Sequence, residues 1–292
     1  MTERLRFLTL ICVLTLPTLL RAQGVTTGPI DQALGRSGQK TGDVYRVSFP
    51  RTDLHVSLKG VAIKPGLALG SWAAFLGTDD NAMVMGDLVL LEEELNPVMT
   101  KLRSAGFEIS AVHNHLMEES PRILYMHYMG HGPATQLATS LRGALSVSKT
   151  PLDKPAAAAE EPTPPAWVKT VEDAVGRKGT YKGGVLSYGV PRSDTITMAG
   201  MTITPAAGVG EAINFQATDS GKVATTGDFV LTADEVNPVI SALQDHSIQV
   251  TALHSHMLTE QPRLFFMHFW CVGSPESVGA GIKAALSKVQ TK

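Results

Sequence analysis

The sequence has little cysteine, few aromatics and almost no excess of either charge. Two cysteines, Cys12 and Cys271, occur among 292 residues. A net charge of −2 gives no general attraction for nucleic acid or acidic lipid. At 18% charged and 43% hydrophobic residues, the chain is too apolar for a disordered protein. Long apolar runs are also scarce. Phe7 to Leu20 spans about 14 residues, short for a bilayer crossing, and no later run is long enough. No membrane span and no nucleic-acid partner are expected.

That apolar run has the shape of a targeting signal. Arg4 and Arg6 precede it, and Ala22 is a suitable residue for cleavage before Gln23. Residues 1–22 are therefore read as a signal peptide, and the protein as periplasmic or secreted. Lipid attachment at Cys12 needs a small residue before it, and Ile11 is not small. Cleavage takes the net charge from −2 to −4 and leaves Cys271 alone. With no disulfide possible within the mature chain, stability falls to the core or to a metal.

What is abundant is histidine, and it is clustered. Seven of nine histidines fall within residues 113–131 and 254–268. The two windows, ISAVHNHLMEESPRILYMHYMGHG and VTALHSHMLTEQPRLFFMHFWCVG, are copies at an offset of 141 residues. The repeat extends upstream through Arg51/Arg192, Asp53/Asp194, Asp87/Asp228, Glu94/Glu235 and Asn96/Asn237. The chain divides into a first repeat domain (23–148), a Pro/Ala-rich linker (149–165) and a second repeat domain (166–292).

Each copy reads as a short helix, several strands, a helix beginning at Asn96-Pro97 in copy one, two more strands and a last helix. In copy two, Thr232-x-x-Glu235 is a capping-box pattern that starts the helix a turn earlier. The fold class is α+β, with two tandem homologous domains of mainly antiparallel sheet and helices packed on it.

Alternation along the last two strands puts His113 and His115 on one face. A hairpin turn near Ser120 sets His113 opposite His127 and leaves Glu119 in the loop, within reach. Copy two offers His254, His256, His268 and Glu260. Three neutral imidazoles and a carboxylate suit a divalent transition metal such as zinc, copper, manganese or iron. In this reading the six histidines are metal ligands. Glu119 and Glu260 ligate or act as bases, and Arg122 and Arg263 steady an anion or those glutamates. The plain alternative is a hydrogen-bonded structural cluster.

On HNHLMEESPRILYMHYMGHG and HSHMLTEQPRLFFMHFWCVG, with the GD-x-VL and E-x-NPV segments, the sequence resembles the LppY/LpqO family of exported bacterial proteins of unknown function. The resemblance covers both copies. It departs at the lipid-attachment motif, which this chain lacks. His-x-His-x3-Glu also resembles half of the cupin metal motif, but the third histidine comes too soon for a cupin.

The remaining repeated polar residues have plain readings: Arg51 with Asp53 as a local ion pair, Asp87 and Asp228 as turn residues, Asn96 and Asn237 as caps. Glu94 and Glu235 are alternatively partners of a histidine ring. Cys271 is read as a buried free thiol, and His131 has no histidine counterpart. Three functions compete: a metal-dependent hydrolase or oxidase, a non-catalytic binder of metal or small ligand, and a metal-free two-histidine phosphodiesterase. The last requires both hairpins to face one cleft.

Overall fold

The computed structural model describes residues 24–153 and 163–292. The expected signal peptide and the middle of the expected linker lie outside the described residues. Repeat one holds strands β1 (Gln39–Thr41), β2 (Val44–Pro50), β3 (Gly70–Gly77), β4 (Ala82–Leu91), β5 (Glu108–His113) and β6 (Ile123–Gly132). Repeat two holds β7 (Thr180–Lys182), β8 (Val185–Pro191), β9 (Gly210–Ala217), β10 (Val223–Leu231), β11 (Gln249–His254) and β12 (Phe265–Gly273). The two sheets have the same antiparallel order, β1-β2-β3-β4-β6-β5 and β7-β8-β9-β10-β12-β11. Helices α1 (Thr27–Leu34), α2 (Glu92–Ser104) and α3 (Ala134–Leu145) serve repeat one. Helices α4 (Ala166–Val175), α5 (Ala233–Asp245) and α6 (Pro275–Leu286) serve repeat two. The α+β reading with two tandem domains holds.

Strand β4 shows how the layers arise. Nearly every residue in it is buried, which a sheet with one wet face cannot give. Ala82, Val84, Leu88 and Leu90 join the helix-covered core of repeat one. Met83, Met85 and Val89, on the opposite face, meet side chains of repeat two. The two sheets therefore turn their helix-free faces toward each other. Met198, Ile203, Met257 and Phe266 of repeat two pack on Trp72, Met83, Met85 and Met129 of repeat one. Each such burial is worth about 1.5–3 kcal/mol.

Polar contacts across the interface are reciprocal. Ser110 Oγ donates to His256 O at 2.7 Å, and Thr251 Oγ1 donates to His115 O at 2.5 Å. Both pairs are related by the 141-residue offset, so the repeats meet about a local pseudo-twofold. Arms reach over in both directions. Gln216 exchanges hydrogen bonds with Lys64 N and Ala62 O, and Ala206 O accepts from Arg46.

Two sequence expectations change. Among the several strands expected before the second helix, the segment 54–63 forms only the short pairs Ser57–Leu58 and Val61–Ala62. Helix α2 begins at Glu92, with Asn96 and Pro97 inside it. The start is set by Glu94, whose side chain accepts from Leu91 N at 2.9 Å. Glu235 does the same for Thr232 N at 2.8 Å, as the capping-box pattern suggested. These glutamates do not touch histidine rings. Each clamps a buried arginine, Glu94 to Arg51 and Glu235 to Arg192, at 2.7 Å. Asp53 and Asp194 complete the pairs. No helix among the described residues is long and apolar enough to cross a membrane.

Candidate metal centre

His127 lies on β6 and His113 ends β5, while His115 follows that strand. The register is two residues from the hairpin expectation. Ala111 faces His127 and His113 faces Tyr125, with a bulge between Ile109 and Ala111. The reason is the connection, in which Glu119–Ser120 pairs with Ser57–Leu58 instead of closing a tight turn. A shift of two residues preserves the face, so the histidines still point inward.

They point at the histidines of the other repeat. Ring centroids lie 3.6 Å apart for His113 and His254, 3.7 Å for His115 and His268, and 3.5 Å for His127 and His256. Within repeats the rings are farther apart: 5.0 Å for His113 and His115, 4.8 Å for His113 and His127, and 5.0 Å for His254 and His268. The sequence suggested one site in each repeat. The fold makes a single six-histidine centre, and each neighbouring pair takes one member from either side. His113, His115 and His268 bring ring nitrogens within 4.8 Å of one another, as do His113, His127 and His254.

Hydrogen bonding fixes which nitrogen faces inward. Nδ1 of His113 lies 3.2 Å from Asn114 O, and that of His254 lies 2.9 Å from Ser255 O. Nδ1 of His127 and of His268 lie 3.3 Å from Gly86 O and Gly227 O. A carbonyl only accepts, so each of these Nδ1 atoms carries the hydrogen and Nε2 keeps a lone pair. Nε2 of His113, His115, His127 and His256 is buried with no hydrogen-bond partner. Nε2 of His254 and His268 stand 2.8 Å apart. Two lone pairs at that distance repel unless a cation or proton lies between them.

The electrostatics favour the neutral form of five of these rings. Burial, then neighbouring histidines, pushes His113, His115 and His127 far below the ordinary imidazole range. Burial chiefly lowers His254 to about 4 and His256 to about 3. Neutral imidazole is the form that ligates metal.

The nearby carboxylates are not those expected. Glu119 Oε1 accepts from Ile123 N at 3.3 Å, and Glu260 Oε1 accepts from Leu264 N at 3.0 Å. Both brace the strand entry, and neither pairs with a histidine among the described residues. Arg263 is exposed and bonds Glu260 and the carbonyls of Met257 and Leu258. Arg122 is exposed at the same turn. The structure instead places Asp87 and Asp228 beside the rings, in mid-strand and not in turns. Asp87 faces His127, and Asp228 faces His268. Asp228 Oδ1 lies 2.7 Å from His268 Nδ1, while Asp87 Oδ2 lies 3.7 Å from His115 Nε2. Burial and the facing Asp228 push Asp87 well above the usual carboxylate range. Asp228 is held below it, because the nearby histidines outweigh burial. A carboxylate alone in the buried run of β4, repeated in β10, was a signal available in the sequence.

A cleft of about 480 Å³ reaches His115, His127, His256, His268, Asp87 and Asp228. A larger hollow of about 1070 Å³, lined by His55, Lys59 and Cys271, includes none of the six histidines. Cys271 is half-buried there, not enclosed, and His131 is exposed.

No curated protein matches the chain. Among solved structures, similarity is recorded to the trimeric bacterial microcompartment shell protein PduB. Identity is 11%, coverage 87% of this chain and 89% of that one, and the TM-score 0.21. EtuB from Clostridium kluyveri is 9% identical over 86% and 90%, with a TM-score of 0.19. Those scores are too low to bear on fold or function. The family described as "Domain of Unknown Function (DUF1259)" matches at residues 28–147 and again at 169–288, and the chain belongs to it, with two tandem copies.

Proposed function

We propose that this is an exported metalloprotein that binds a divalent transition metal between its repeats and acts there on a small molecule. One observation carries the reading. Six imidazoles converge, three buried (His127, His256, His268) and three half-buried (His113, His115, His254), four with partnerless Nε2 atoms and two with Nε2 atoms 2.8 Å apart. A purely structural cluster would satisfy those atoms with donors. The donor set suits zinc, copper, manganese or iron. The Asp228 carboxylate stands 2.7 Å from His268 Nδ1, on the side from which a carboxylate supports a metal-bound histidine. Asp87 supplies an oxygen at the cleft wall.

The cleft favours chemistry on a ligand over storage alone. A bound divalent metal would supply Lewis acidity for hydrolysis, or redox capacity for oxidation. The protein's residues would hold the ligand and shield it from bulk water. Export rests on the N-terminal pattern, and kinship with the LppY/LpqO proteins rests on the histidine motifs. The shared cleft also meets the geometric condition for a metal-free two-histidine phosphodiesterase. Against that reading, His113-Asn114-His115 lacks the hydroxyl, and the inward nitrogens carry lone pairs where that mechanism needs a proton.

Elemental analysis after reconstitution with zinc, copper, manganese and iron tests the proposal. Wild type should retain roughly one or two ions per chain, and a His113→Ala/His254→Ala variant should lose them. Wild-type content below about 0.2 ions per chain with every metal would end the metal reading.

A further inference from the structure

The centre is nearly symmetric, but the cleft leading to it is not. Arg46 of β2 lines the cleft, and its counterpart at the 141-residue offset is Ser187. Trp72 of β3 lines it too, where the paired position in β9 is Ala212. The Arg46 guanidinium lies 3.9 Å over the Trp72 ring, and its Nη1 donates to Ala206 O at 3.2 Å. It forms no ion pair among the described residues. Burial lowers Arg46 only to about 10, so it stays cationic at neutral pH. A guanidinium has five donors, and the contacts above engage only part of that set.

A second group in the same cleft is also only partly satisfied. Glu211 is 1% exposed. Its Oε2 accepts from Val230 N at 2.7 Å, while Oε1 has no partner. Burial holds this carboxyl well above the usual range. The equivalent work in repeat one is done by Ser71, whose Oγ accepts from Val89 N.

We propose that the cleft is a cradle for a small organic carboxylate, its charge on Arg46 and its other end toward the histidine centre. The inference rests on the metalloprotein reading for what the ligand meets at the far end, but the cradle itself is made of Arg46, Trp72 and Glu211. A guanidinium pinned on an indole matches a planar carboxylate in a bidentate pair. The ring fixes the fork, so little conformational freedom is lost on binding. At about 480 Å³ the cleft suits a metabolite-sized anion.

Calorimetric titration with glycolate, on both metal-loaded and metal-free protein, tests this. Ethylene glycol serves as the uncharged control and inorganic phosphate as a non-planar anion. Wild type should bind glycolate, and ethylene glycol at least tenfold more weakly. Arg46→Gln should weaken glycolate at least tenfold with metal content unchanged, and Arg46→Lys should recover part of the loss. Phosphate binding tighter than glycolate would overturn the carboxylate assignment. Undetectable glycolate binding in wild type, or equal affinity in wild type and Arg46→Gln, would overturn the cradle even if metal is retained. Arg46-dependent binding by a protein that takes up no metal would keep the cradle and end the centre.

Discussion

The two repeats are alike where they build the centre and unlike where a ligand would approach it. His113, His115, His127 and Asp87 answer to His254, His256, His268 and Asp228 across the pseudo-twofold. The buried clamps Arg51–Glu94 and Arg192–Glu235 match to the same 2.7 Å. On the cleft wall, repeat one supplies Arg46 and Trp72, and repeat two supplies Glu211. A pair of equivalent domains can therefore hold a symmetric set of ligands and still present one distinct entrance. Matched substitutions in the two repeats separate the shared role from the particular one.

The largest expected effect is acid sensitivity of the metal-free protein. Five histidines have pKa values below the ordinary 6.5 because of burial and mutual repulsion. The unfolded chain takes up protons near 6.5 and the folded chain does not. Stability should be full above that value and fall as pH drops toward 4. Denaturant midpoints measured between pH 7.5 and 4 check the direction. The repeats should also differ. His254, lowered only to about 4, should protonate before the histidines of repeat one. Imidazole ring-proton shifts report the order, and earlier protonation in repeat one would break the comparison.

Next in size are the arginine clamps. Arg51 is fully buried and Arg192 is 2% exposed. Replacing either with Ala strands a buried glutamate and should cost about 3–5 kcal/mol. Chemical denaturation should give similar losses for the two variants, since each strands a glutamate that accepts from a helix start and from the chain end of its repeat, Lys149 N on Glu94 and Gln290 N on Glu235. A loss confined to one repeat would show that the matching geometry is not matched in energy.

The aspartates should part company. Asp228→Asn removes a carboxylate 2.7 Å from His268 Nδ1 and should weaken metal binding about 10–100-fold. Asp87 is 3.9 Å from His127 Nδ1, so Asp87→Asn should weaken it less. Competition with a chromophoric chelator ranks the two. The reverse order would move the supporting role to Asp87 and make it a ligand in its own right.

The scaffold was largely legible in the sequence, because duplication printed its pattern twice. The repeat, the α+β class and the inward histidine face all follow from the 141-residue offset and two-residue alternation. The face survives the wrong register because the error was an even number of residues. The convergence of both hairpins was not legible, because it depends on how two sheets pack. Asp87 was misread from its preceding glycine. Gly86 is needed there for another reason: a Cβ would lie 2.1 Å from Trp72 O. Arg46 and Trp72 carried no signal, because the copies differ at those positions.

The smallest test addresses the twofold itself. Ser110 Oγ and Thr251 Oγ1 donate across the interface to His256 O and His115 O, each from an edge strand of its sheet. Each bond ties the carbonyl of one histidine to the opposite repeat, so it positions the ring that follows from that backbone. Ser110→Ala and Thr251→Val should each cost about 1 kcal/mol. If the bonds act on a common packing of the sheets, their effects should couple, and the double variant should depart from the sum by more than about 0.5 kcal/mol. Strict additivity would mean that each contact anchors its own loop. The six-histidine centre would then owe its alignment to the apolar faces, where Met85 and Phe266 meet, and not to the polar edge.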